Sequence, residues 1–129
     1  MPQFSEKSMM RLKSCHSDLQ KIFLEVIKHY DCTILCGHRT KEEQDDCLEK
    51  GTTTKKFPFS KHNQTPSMAL DAMPYPINWK DRERLMNFVG FVQGIATMQN
   101  IKIRVGADWN GDRNFKNDSF FDGPHFELV

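Results

Sequence analysis

Met68-Ala69-Leu70-Asp71-Ala72-Met73 is an apolar run with a carboxylate in its middle, and a carboxylate taken out of water is costly unless cations or strong donors surround it. Asp71 therefore needs partners. His125 stands between Pro124 and Phe126 in a second apolar stretch, and His62 lies in the polar segment that leads into the Asp71 run. Two histidines and one aspartate suit catalytic zinc, which takes three protein N or O donors and leaves a fourth position for water. Such a metal lowers the pKa of water to about 7 and polarises a carbonyl. Hydrolysis also needs a base. Asp122, three residues before His125 in Asp122-Gly123-Pro124-His125, is placed to be one, since a Gly-Pro turn lets the two side chains converge. A purely structural reading of the same residues stays open: His62 capping a loop, Asp71 paired with a Lys or Arg, Asp122 opening a turn. His16 and His29 read as solvated helix residues and His38 as a loop histidine.

These side chains need elements to position them. Ser17-Asp18-Leu19-Gln20 reads as a helix start, and Leu19, Ile22, Phe23, Val26, Ile27 and Tyr30 recur at helical spacing after it. A shorter helix is expected over about Ser5 to Lys13, without a clean apolar stripe. Cys32-Thr33-Ile34-Leu35-Cys36 predicts a strand that stops at Gly37. Thr40-Lys41-Glu42-Glu43 is a capping box, opening a helix that should end near Gly51. Residues 52–65 are polar and aperiodic, the kind of long loop that tends to serve function. The Asp71 run predicts a strand ended by Pro74 and Pro76. Asn78 or Asp81 then starts a helix to about Asn100, and Ile101-Lys102-Ile103-Arg104-Val105 and Pro124-His125-Phe126-Glu127-Leu128 predict two more strands. Helices come before and between short strands without regular βαβ alternation, so the fold class is α+β with a small, mainly antiparallel sheet.

Composition narrows the function classes. The chain of 129 residues suits one domain, residues 1–129. Eighteen Lys and Arg against seventeen Asp and Glu give a formal charge of +1, which offers no field for holding nucleic acid. No apolar run is long enough to span a membrane, and no G-x-G-x-x-G or Walker pattern serves a nucleotide. The N-terminal residues lack the regions of a secretory signal. Cys15, Cys32, Cys36 and Cys47 follow neither a paired zinc pattern nor a dense disulfide framework, and are expected to be mostly buried free thiols.

Ser60-Lys61-His62-Asn63, Pro66-Ser67-Met68-Ala69-Leu70-Asp71, Pro74-Tyr75-Pro76 and Phe121-Asp122-Gly123-Pro124-His125-Phe126-Glu127-Leu128 together resemble the zinc D-alanyl-D-alanine carboxypeptidase and VanY-type peptidases. More narrowly they resemble the phage endolysin branch, the L-alanyl-D-glutamate endopeptidases. Gly37-His38-Arg39-Thr40 with Glu43-Gln44, and Ile103-Arg104-Val105-Gly106-Ala107-Asp108-Trp109, extend the resemblance from about Cys32 to the C-terminus. It implies a Hedgehog/DD-peptidase-like fold, zinc held by His62, Asp71 and His125, and Asp122 as general base. Arg39 corresponds to an arginine that contacts substrate or steadies the oxyanion, and Ser60 to a serine near the substrate. The nine-residue step from His62 to Asp71 and Ser67 in place of a glycine depart from the commoner pattern, and the longer step is the form of phage-like members. Val105 and Ala107 replace a Trp and a Gly of many relatives. The implied activity is cleavage of the peptidoglycan stem peptide between L-Ala and D-Glu, by a monomer held in the host cytoplasm until release to the wall. The alternatives are a D,D- or L,D-carboxypeptidase of the stem and a non-catalytic wall- or protein-binding module on the same fold.

Overall fold

The computed structural model describes residues 2–106 and 124–129. In chain order these form α1 (Glu6–Lys13), α2 (Ser17–Val26), β1 (Cys32–Cys36), α3 (Lys41–Glu49), a 3-10 turn (Lys61–Asn63), β2 (Ala69–Pro74), α4 (Arg82–Met98), β3 (Ile103–Val105) and β4 (His125–Leu128). The strands make one sheet in the order β1-β2-β4-β3, with every pairing antiparallel. The α+β expectation is met. No helix among the described residues is long and apolar enough to cross a membrane.

Register explains why the strand sequences alternate. Leu70 opposes Phe126, and Phe126 also opposes Val105. Because opposed residues point to the same face, this row looks into the core, where Phe126 meets Phe23 and Phe88 edge-on at centroid distances of 5.4 and 6.1 Å. One residue along, Asp71 opposes both Cys36 and His125, and Glu127 opposes both Ala69 and Arg104. The second face therefore carries the polar row. His-Phe-Glu-Leu in β4 reads polar, apolar, polar, apolar because the sheet separates a hydrocarbon core from a functional face.

The helices end where local chemistry dictates. Asn100 is left-handed (φ 58°), Ile101 N–H donates to Ala96 O and Asn100 N–H to Thr97 O, which is a Schellman closure of α4. This use of Ile101 shortens the predicted strand, so β3 starts at Ile103. Gly51 (φ 75°) closes α3 the same way, with Thr52 N–H on Cys47 O and Gly51 N–H on Leu48 O. The expected N-cap of α2 shifts by one: His16, not Ser17, is the cap, its Nδ1 accepting from Asp18 N–H at 3.0 Å. The regular helix ends at Val26 and continues as turns to Tyr30.

Two helices that lack a clear apolar stripe have other work. In α1, Ser8 Oγ accepts from Ile34 N–H (3.1 Å) and Arg11 Nη1 donates to Ile34 O (3.0 Å), so α1 closes the outer edge of β1. In α3 the buried residue is Gln44, whose Nε2 donates to Lys55 O at 2.6 Å. The four cysteines are free, as expected, with Cys15 and Cys32 buried and Cys36 and Cys47 half-buried. Burial pushes the Cys15 and Cys32 thiols up to about 12.

Candidate metal centre

Each of the three predicted ligands is delivered by a different device. Ser60 caps the 3-10 turn, its Oγ accepting from His62 N–H at 3.2 Å, while Asn63 Oδ1 returns to Ser60 N–H at 3.2 Å. The S-x-H pattern is thus a cap that presents a histidine. His62 is nearly fully buried. Its Nδ1 donates to Gly37 O at 2.8 Å, Arg39 N–H donates to His62 O at 2.7 Å, and Cys36 Sγ lies 3.8 Å from Nδ1. Gly37 has to be glycine: a Cβ there would lie 2.2 Å from Arg11 O and 2.5 Å from Ser14 Oγ. Asp71 and His125 face each other across β2 and β4 by register.

The three side chains converge. His62 Nε2 is 3.4 Å from Asp71 Oδ1 and 3.4 Å from His125 Nδ1, and His125 Nδ1 is 3.2 Å from Asp71 Oδ1. An ion with tetrahedral donors about 2.0–2.1 Å away keeps those donors about 3.3–3.4 Å apart. The donor triangle therefore already has the size that zinc needs, with imidazole and carboxylate atoms at its corners. The outward ring atoms are anchored, His62 Nδ1 on Gly37 O and His125 Nε2 on Glu127 Oε1 at 2.8 Å. Such partners fix ring orientation in metal sites. The group can hold a metal ion.

The three groups also bias one another's charge. Burial alone would raise the Asp71 pKa, but hydrogen bonds from His125 and His62 outweigh it and hold the carboxyl well below its usual range. Burial would lower the His62 pKa, yet the Asp71 and Cys36 contacts push it up to about 10; His125 is raised by Asp71 and Glu127 against the same desolvation. Without metal, protons take the place of the cation. The raised His62 stabilises the fold fully below its ordinary 6.5, and that contribution is lost as pH rises through about 10. Metal binding must displace these protons. The gain in Tm on adding zinc is accordingly expected to grow between about pH 6 and about pH 8, as followed by thermal melts of metal-free and loaded protein. A gain that is largest at the acid end would contradict the proton competition.

The remaining site residues divide. Arg39 is not a surface arginine: its side chain is 11% exposed, with Nη2 3.8 Å from Asp71 Oδ2, Nη1 on Gln44 Oε1 at 2.9 Å and Nη2 on Cys36 Sγ at 3.7 Å. Asp71 thus has both the histidines and an arginine as partners, so the metal and ion-pair readings are not exclusive. Asp122 lies outside the described residues. His38 contacts Thr65 Oγ1 at 3.3 Å, and His29 sits exposed on Glu25 at 2.9 Å. The neighbourhood also takes in Gly37, Cys36, Gln44, Lys61 and Arg104, to which the sequence attaches no role. Gly37, Gln44, Lys61 and Arg104 stand inside the runs that carry the resemblance, and Cys36 ends the predicted strand just before Gly37.

A model of the phage L-alanyl-D-glutamate peptidase family matches residues 1–129. The chain belongs to that family. The match begins at the first residue, so α1 and α2 fall inside the family unit, beyond the stretch whose motifs carry the resemblance. Among its relatives, the L-alanyl-D-glutamate peptidase of Escherichia phage T5 is 30% identical, over 98% of each chain. The crystal structure of Serratia marcescens L-Ala D-Glu endopeptidase ChiX has the same fold, with a TM-score of 0.75 at 20% identity, covering 98% of this chain and 90% of that one.

Proposed function

We propose that this member of the phage peptidase family is a zinc-dependent peptidoglycan hydrolase that cuts the stem peptide at the L-Ala–D-Glu bond. The observation that carries the reading is the donor triangle of His62, Asp71 and His125, whose edges of 3.2 to 3.4 Å suit a tetrahedral ion, in a chain whose relatives bear that activity in their names. When bound, zinc supplies Lewis acidity toward a carbonyl oxygen and toward water. The protein's own groups do the rest. Asp122 takes a proton from the attacking water and hands it to the leaving amine. Arg39, pre-set by Gln44 and Cys36 beside Asp71, offers its fork of donors to a substrate carboxylate or the developing oxyanion. Ser60 presents His62 through its cap, and the family resemblance implies that it lies near the substrate. In an endolysin role the enzyme acts on the wall after release from the host cytoplasm. The test is clearance of purified sacculi: activity should vanish with chelator and return with zinc. Undiminished clearance by metal-free protein would contradict the proposal.

The fork geometry gives a further expectation. Lysine places one ammonium where Arg39 spans Asp71 and Gln44, and a point charge copies a planar fork poorly. Arg39→Lys should retain zinc by metal analysis and lose most turnover in initial-rate assays. A wild-type rate would remove Arg39 from the reaction.

A further inference from the structure

Glu127 is 2% exposed, and the hydrolysis described above does not use it. Its oxygens are divided between two tasks. Oε1 lies 2.8 Å from His125 Nε2, whereas Oε2 lies 2.8 Å from Arg104 Nη2 and 3.3 Å from Lys61 Nζ. Lys61 Nζ also donates to Leu128 O. The other ring nitrogen, His125 Nδ1, faces Asp71 Oδ1 and His62 Nε2. Glu127 thus stands behind the ligand, on the far side of the ring from the donor triangle. From there it cannot serve as the base for water at the metal.

We propose that Glu127 is a positioning residue for His125, accepting its Nε2–H so that the Nδ1 lone pair is turned to the metal, with Lys61 and Arg104 holding the carboxylate in place. This inference rests on the metal reading of the site. A neutral imidazole carries one N–H, and an acceptor fixed at one nitrogen decides which side keeps it. The anionic acceptor also raises the basicity of the ligating nitrogen. A carboxylate this buried would be costly alone, and two basic partners on Oε2 make it tenable. The placement follows from the chain: Arg104 is the register neighbour of Glu127 across β3 and β4, and Lys61 immediately precedes His62 in the 3-10 turn. One carboxylate therefore ties together the two segments that bear the histidine ligands.

The test uses the full chain, wild type, Glu127→Ala and Glu127→Gln, with zinc affinity from chelator competition and the His125 tautomer from long-range 1H–15N spectra of the zinc-loaded protein. The loaded wild type should show His125 protonated at Nε2. Glu127→Ala should weaken zinc about 10- to 100-fold, and Glu127→Gln, whose amide oxygen can still accept from Nε2–H, should keep the tautomer and fall between. A residue that only supported the fold would lower Tm in these variants and leave zinc affinity alone. Unchanged affinity in both variants, or Nδ1–H in the loaded wild type, would overturn the assignment. Should Glu127→Ala not fold, the Gln variant and the wild-type spectrum still decide it. A wild-type chain that takes up no zinc overturns the functional reading as well, whereas wild-type affinity in both variants overturns this inference alone.

Discussion

Replacing His125 by alanine should remove the metal and the activity together. The ring supplies one corner of a three-donor triangle, 3.2 Å from Asp71 and 3.4 Å from His62, and two protein donors do not make a catalytic zinc site. The loss reaches further than one bond. Asp71 is held ionised by hydrogen bonds from both histidines, so the variant leaves a largely buried carboxylate with His62 and the more distant Arg39. Metal analysis after gel filtration should find about one zinc per chain in the parent and close to none in His125→Ala. His62→Ala and Asp71→Ala should behave alike in metal content. Asp71→Ala should also melt lower without metal, since it removes the carboxylate that both buried histidines face and leaves His125 with Glu127 alone. Full zinc retention in His125→Ala would show that the ligand set is wrong.

Asp122→Ala should separate what His125→Ala joins. A base that is not bonded to the metal can be removed without losing the metal, so zinc content should stay near that of the parent while turnover falls by about 10²–10⁴, the range of general acid-base assistance. Asp122→Asn should match it, because the amide keeps the size and cannot take the proton. Loss of zinc along with activity would make Asp122 a ligand. Retention of both would place the base elsewhere, and Glu127 would not be the replacement, because its oxygens are engaged behind His125.

How far the sequence could be read depended on the range of the interaction. The capping box at Thr40 and Glu43 and the helix stop at Gly51 are local, and the structure has both. Asp71 was legible as a charge in an apolar strand that had to find cations, and it found His62, His125 and Arg39. What the sequence hid were contacts between distant segments. Ser8 and Arg11 look like surface residues of a poor amphipathic helix until β1 brings Ile34 beside them. Gln44 looks like any helix polar residue until Arg39 and Lys55 enclose it. The place of Glu127 was hidden as well: strand periodicity puts it on the same face as His125, beside the ring and not in front of it. The short β3 was hidden by Asn100, whose left-handed turn draws Ile101 into the helix cap.

Cleavage of one bond by a metal-dependent site is reported directly by its products. Purified sacculi digested with the wild-type chain, with zinc and with chelator, would be analysed by mass spectrometry for newly formed termini. New C-terminal L-Ala and new N-terminal D-Glu are expected, in the zinc sample alone. Release of terminal D-Ala with the L-Ala–D-Glu bond intact, or the same new termini in the chelator sample, would contradict the proposed function.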